Sequence, residues 1–161
     1  MLSLQYVAGF FDGEGSVGIT GCKHKRGAGL HTWLRVTITN TDTAILKEIH
    51  ERCGGTLSKG RLLGVGWKEH RELRFLGWQA VVFMKKIRPY VRVKSKQIAL
   101  ALEYWDFTHG PEESRYDFVV GETTTNFSGK RCIKIRKPSV IAREQEYKDQ
   151  MHALNRKGVP I

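Results

Sequence analysis

Tyr6-Val7-Ala8-Gly9-Phe10-Phe11-Asp12-Gly13-Glu14-Gly15-Ser16-Val17 is the stretch whose reading decides the fold. Ser3 is suited to cap a helix, residues 2–11 are mostly apolar, and Gly13 and Gly15 end the run, a pattern that predicts a short buried helix. Beyond it, residues 17–20 and 30–39 alternate, with Leu34, Val36 and Ile38 on one face and Trp33, Arg35 and Thr37 on the other. Such alternation predicts two strands, joined here by the basic, glycine-containing loop 21–29.

Further out the same logic continues. Asn40, Thr41 and Asp42 are N-cap types, and Ile45, Leu46, Ile49 and Cys53 recur at helical spacing until Gly54-Gly55 stops them. Strands are expected over about residues 56–62 and 69–76, and helices over 78–87, halted near Pro89, and 95–107. Helix, two strands, helix, two strands, helix predicts an α+β fold in one domain spanning 1–161. Its core covers about 1–107. A C-terminal helical extension, about 108–161, is expected to loop around Thr123 to Asn126 and to end in a helix over 142–155, with Tyr147, Met151 and Leu154 on one apolar face.

The charge balance points to the partner. Lys and Arg number 27 against 16 Asp and Glu, a formal net charge of +11. The cations cluster at 23–26, 59–74, 85–96 and 130–137. A polyanion is the favoured partner. Cys22, Cys53 and Cys132 form neither a disulfide framework nor a zinc spacing, which fits a reducing compartment. No signal-like N-terminus and no bilayer-length apolar run is visible, so a soluble protein without a membrane or targeting segment is expected. No phosphate-cradling glycine loop or nucleophile elbow argues for a small-molecule substrate.

Residues 7–15 resemble the LAGLIDADG signature of homing endonucleases, keeping the small pair Ala8-Gly9, then Asp12, Gly13, the acid as Glu14, and Gly15. Asp-Gly-Glu-Gly alone is equally a turn between a core helix and a strand; the whole string followed by alternating strands carries the resemblance. It implies an αββαββα core with a saddle-shaped antiparallel sheet. It also implies a homodimer packed through Ala8, Gly9, Phe11, Asp12 and Gly13, where small residues let two helices approach closely. Phe118-Val119-Val120-Gly121-Glu122 lacks the small pair, so one motif per chain is read.

By the same resemblance Glu14 and the Gly13 carbonyl would hold the metal, with Mg²⁺ expected, Mn²⁺ substituting, and Ca²⁺ allowing binding without efficient cleavage. Lys94 falls where relatives carry a basic residue near the scissile phosphate, and Asn40 where they often carry Gln; Thr41, Asp42 and Thr43 stand where some have a further base. A polar sheet face of Thr20, His31, Trp33, Arg35, Thr37, Ser58 and Arg74 would meet bases in the major groove. Lys23, Lys25, Arg26, Lys59, Arg61, Arg71, Arg92 and Lys96 are the further DNA contacts, chiefly to phosphates. The implied function is site-specific double-stranded DNA cleavage at a long, near-palindromic target, across the minor groove, promoting intron or intein mobility. The implied location is an organelle or an archaeal or bacterial cytoplasm. Two rivals remain: a binding protein without cleavage, including a helper of intron RNA splicing, and a His-Asn-His nuclease. Retention of Glu14 disfavours the first. The six histidines show no local metal-ligand spacing, which disfavours the second.

Overall fold

The computed structural model describes residues 2–23, 30–60, 68–111, 115–121 and 131–156. The elements are α1 (Leu4–Glu14), β1 (Gly15–Lys23), β2 (Leu30–Asn40), α2 (Thr43–Cys53), β3 (Thr56–Lys59), β4 (Arg71–Leu76), α3 (Trp78–Ile87), α4 (Ser95–Thr108), β5 (Tyr116–Gly121), β6 (Arg131–Arg136) and α5 (Pro138–Asn155). The fold is α+β, as the sequence predicts. One antiparallel sheet runs in the order β1-β2-β4-β3, and β5 and β6 form a separate hairpin.

Local chemistry sets the ends of the helices. Ser3 caps α1, its Oγ accepting from the Tyr6 N–H at 3.1 Å. Asp42 caps α2 by accepting from the Ala44 and Ile45 N–H groups at 2.9 and 3.4 Å. Gly54 then closes α2 at φ +80°, a conformation that favours glycine. Helix α1 runs further than its apolar stretch predicts, through Gly13 to Glu14, and passes directly into β1. A Cβ on Gly15 would fall 2.1 Å from Cδ2 of Phe11 and 2.6 Å from its carbonyl oxygen. Only glycine lets the chain turn so tightly over the Phe11 ring.

One face of the sheet carries Val17, Ile19, Leu34, Val36, Ile38, Leu73 and Phe75, all buried beneath the helices. At the centre Phe83 of α3 stacks on Phe75 at 4.2 Å and meets the edge of Phe11 at 5.5 Å, so α1, the sheet and α3 share one aromatic cluster. Among the described residues no helix is long and apolar enough to cross a membrane.

The extension, expected as a loop followed by a helix, also contains a strand pair. The apolar run Phe118-Val119-Val120 lies in β5, paired with the alternating stretch 131–136; the loop expected at 123–126 lies outside the described residues. Helix α5 starts at Pro138, a residue whose fixed φ and missing N–H suit a first turn. Tyr147 and Met151 are buried against the core, whereas Leu154 is 38% exposed and not part of that face. The Leu154 carbonyl accepts from Gln97 Nε2 at 3.3 Å, and Asn155 Nδ2 donates to the Val17 carbonyl at 2.8 Å. Strand β1 is an edge strand, so the end of α5 occupies a backbone acceptor that would otherwise invite strand pairing.

A buried carboxylate fastens the extension. Glu144 of α5, 2% exposed, accepts from Thr32 Oγ1 of β2 at 2.7 Å and from Arg136 Nη1 of β6 at 2.9 Å. The Tyr104 hydroxyl of α4 donates to the same threonine at 2.8 Å, and burial pushes its phenol up to about 12. Removing Glu144 leaves the remaining groups buried without their anion. Glu144→Ala is expected to lower the free energy of unfolding in urea titrations by about 3 kcal/mol. Because the folded protein holds the Tyr104 proton more tightly than the unfolded chain, that stability persists below pH 10 and falls as the pH rises from 10 to about 12. Tyr104→Phe should flatten this alkaline loss.

Candidate active site and nucleic-acid interface

Glu14 is the last residue of α1 and is exposed, with Gly13, also exposed, before it. Two residues earlier, the Asp12 carboxylate accepts from the backbone N–H groups of Arg92, Val93 and Lys94 at 2.7, 3.2 and 3.0 Å. Helix α4 has no capping side chain of its own at Lys94, so Asp12 supplies the anion that a helix N-terminus favours. The Lys94 ammonium in turn donates to the Asp12 carbonyl. Lys94 is half-buried, and desolvation pushes its pKa below the ordinary lysine value while Asp12 and Glu14 pull it back up. The chain thus brings Glu14 and Lys94, eighty residues apart, into one electrostatic neighbourhood.

Helix α1 has two faces. Val7, Ala8 and Phe11 are wholly buried in the chain's own core, and Asp12 is turned to residues 92–94. These positions correct the expected dimer face: Ala8, Phe11 and Asp12 do not point outward. The outward face carries Gly9 and Gly13 with Tyr6, 51% exposed, and half-buried Phe10, whose rings stack at 6.4 Å. Tyr6 and Phe10 were not among the expected contacts, although the spacing 6, 9, 10, 13 against 7, 8, 11 is visible in the sequence. Among the described residues a Cβ on Gly9 or Gly13 would meet nothing within 4 Å, so none of them requires glycine at either position.

Among the described residues no three His, Cys, Asp or Glu side chains gather closely enough to hold a metal ion. The donors at the end of α1 are the Glu14 carboxylate and the Gly13 carbonyl, hard oxygens of the kind Mg²⁺ and Ca²⁺ take. They fit a divalent cation whose other ligands come from water, phosphate or a second copy of the chain. Asn40 ends β2, just past the Ile38 that pairs with Gly15. Its side-chain Oδ1 accepts from the Asp42 N–H at 2.8 Å.

Strand register settles the polar face. Thr20 pairs with Trp33, Thr37 with Arg74, and Ser58 with Glu72, all on the side opposite the core. Arg35 and Arg74 are partly exposed there, while Thr37, 5% exposed, lies beneath Arg35 and accepts from its Nε at 3.0 Å. Thr37, expected to meet a base, is thus nearly buried in the free chain and supports an arginine. The Thr20 hydroxyl donates to the Trp33 carbonyl at 3.3 Å. Trp33 itself lines a cleft of about 320 Å³ with Tyr104, Trp105 and His109, which favours packing at the sheet rim.

Lys59 and Arg71, expected as further DNA contacts, lie apart from the polar face. They pair with each other in the parity of Leu57 and Leu73, and Arg71 pairs with Asn40. The three form a row at the end of the sheet near the α1–β1 junction, off the face that holds Arg35 and Arg74. Arg92 and Lys96 are exposed beside Lys94. Lys23 and His31 occupy β1 and β2, paired with Leu30 and Cys22; Lys25, Arg26 and Arg61 lie outside the described residues.

No protein-family model matches the sequence, and no curated protein matches it. Solved structures do. The homing endonuclease I-CvuI, in complex with an I-CreI target and Mg²⁺ with the DNA not cleaved, matches at a TM-score of 0.68 and 19% identity, over 98% of this chain and 85% of that one. The archaeal intron-encoded homing endonuclease I-Vdi141I, complexed with DNA, matches at 0.68 and 15% identity, over 97% and 86%. The I-SmaMI LAGLIDADG homing endonuclease bound to cleaved DNA matches at 0.62 and 16% identity, over 99% of this chain and 46% of that one. The chain has the LAGLIDADG homing endonuclease fold, and it carries a single copy of the motif at the end of α1. At these identities the fold is what is shared.

Asp12 should prove structural. Asp12→Ala strips the acceptor from three N–H groups and is expected to lower unfolding free energy by about 2 kcal/mol, the scale of hydrogen bonds to a charged group. Denaturant titration measures it, and an unchanged midpoint would contradict the clamp.

Proposed function

We propose that the chain is a divalent-metal-dependent, site-specific double-stranded DNA endonuclease that works as a homodimer. The observation that carries this reading is the exposed Glu14 carboxylate, at the end of a helix whose outward face is glycine at two positions where the described residues leave open space. Two copies of α1 crossing at Gly9 and Gly13 would approach backbone to backbone, setting two Glu14 carboxylates near one another where one chain alone lacks a full set of metal donors among its described residues.

In that assembly Glu14 and the Gly13 carbonyl would hold the cation, whose chemistry is to activate water and offset charge on the phosphate. Lys94, fixed by its bond to the Asp12 carbonyl, would face the phosphate and stabilise charge that develops there. The Asn40 NH₂ group would orient water. The polar sheet face would enter the major groove, with Arg35 and Arg74 as the base-reading donors. Exposed Arg92 and Lys96 would bind phosphates and set register. A two-fold dimer presents the same reading face twice, so the target would be near-palindromic. Cutting at such a site is the activity that intron or intein mobility needs. The DNA and metals named in the neighbours' structures belong to those proteins; they support this reading through the shared fold.

Glu14→Gln preserves side-chain shape and removes the charge. In Mg²⁺ it is expected to abolish cleavage of a selected target duplex while binding in Ca²⁺ persists. Lys94→Ala should slow single-turnover cleavage about 100- to 1000-fold, as for loss of one electrostatic stabiliser. Wild-type cleavage by purified Glu14→Gln protein would sink the catalytic assignment.

A further inference from the structure

The polar sheet face holds one acid among its described residues. By strand parity that face carries Ser16, Gly18, Thr20, Trp33, Arg35, Thr37, Thr39, Thr56, Ser58, Arg74 and Leu76 around Glu72. A carboxylate in the middle of a surface meant for a polyanion costs affinity.

The geometry shows what Glu72 does. Its Oε1 lies 3.5 Å from Arg35 Nη2 and its Oε2 lies 3.1 Å from Arg74 Nε. The Nε of Arg74 is buried, and its contact is an ion pair without hydrogen-bond alignment. Each guanidinium has a second tether: Arg35 Nε donates to Thr37 Oγ1 at 3.0 Å, and Arg74 Nη2 donates to Ser58 Oγ at 3.1 Å. The carboxyl side chain is 18% exposed, while Arg35 and Arg74 are 43% and 39% exposed. The acid is therefore sheltered under Arg35 from neighbouring β2 and Arg74 from its own strand β4, and in both the contacts engage Nε and one N–H of Nη2, so that Nη1 and the second N–H of Nη2 can still form a paired donor edge.

We propose that Glu72 is a positioning residue for sequence selectivity. It pins Arg35 and Arg74 so that they present to the groove a fixed guanidinium edge matching the paired acceptors of guanine, and it keeps them from closing on any nearby phosphate. An unpinned arginine on a groove-facing strand is a long, mobile cation that binds backbone regardless of sequence. Held by an acid, it gains little from a phosphate and most from O6 and N7 of guanine, where both donors are used. Glu72 thus exchanges non-specific affinity for discrimination. The inference rests on the DNA-binding reading above.

The test uses the full-length protein. Duplexes are selected from a randomised library by the wild type in Ca²⁺. Affinities for a selected duplex and its scrambled counterpart are then measured across salt for wild type, Glu72→Gln, Glu72→Ala, Arg35→Ala and the Arg35→Ala/Glu72→Gln double variant. Either Glu72 variant is expected to bind the scrambled duplex more tightly, with the ratio of selected to scrambled affinity falling about tenfold or more. The salt slope for scrambled DNA should steepen by about one, the change that one additional neutralised phosphate produces. In the Arg35→Ala background the effect of Glu72→Gln should shrink, which a general fold defect would not produce. An unchanged ratio and slope in both Glu72 variants, with a selective wild type, overturns this inference alone. So does loss of selected-duplex binding with scrambled binding unchanged, because Glu72 would then contact a base itself. A wild type that enriches no sequence overturns the DNA-binding reading and this inference with it.

Discussion

Three backbone N–H groups, those of Arg92, Val93 and Lys94, converge on the carboxylate of Asp12. Helix α4 begins just after them without a capping side chain of its own, and an anion there satisfies the N-cap N–H of Lys94 and complements the helix dipole. The contact ties the last turn of α1 to the segment leading into α4 across eighty residues of chain. Lys94 then closes the clamp through its ammonium on the Asp12 carbonyl. Most of what matters in the site follows from this constraint. Glu14 and Lys94 hold their relation because Asp12 fixes the ground between them, and α1 has one outward face because the other is committed to the core and this clamp.

The rest of the molecule keeps that arrangement rigid and leaves the opposite sheet face open. Gly15 lets α1 run straight over the Phe11 ring into β1, so the motif helix and the first strand form a continuous lever. Phe83, held between Phe75 and Phe11, locks α3 and the sheet to the inner side of α1. The end of α5 bonds the edge strand β1 at the Val17 carbonyl, and the extension is pinned to the core by Glu144 through Thr32 and Arg136. Apolar side chains fill one face of the sheet, and on the other the arginines of β2 and β4 meet over Glu72.

Much of this was legible in the sequence. The capping residues Ser3 and Asp42, the closing Gly54, and the alternation of Leu34, Val36 and Ile38 located the core elements, because each signal is local. The orientation of α1 was harder: Ala8 and Phe11 belong to the motif, but only a helical count from Tyr6 separates the inward set 7, 8, 11 from the outward set 6, 9, 10, 13. The role of Asp12 was not readable, since its partners lie at residues 92–94. The support of Arg35 by Thr37 and its meeting with Glu72 depend on strand register, which alternation alone does not fix. The hairpin of β5 and β6 was obscured by polar residues between two short apolar runs, although the alternation over 131–136 was a signal for it.

The central claim is that the glycine face of α1 is where two copies meet, so that two Glu14 carboxylates share one site. Sedimentation velocity of Gly9→Leu tests it most directly. A Cβ at Gly9 meets nothing among the described residues, and leucine is the better helix former by nearly 1 kcal/mol, so the monomer fold is expected to persist. The account predicts a wild type that sediments as a dimer and a Gly9→Leu variant that sediments as a folded monomer. A variant that remains a dimer would contradict it.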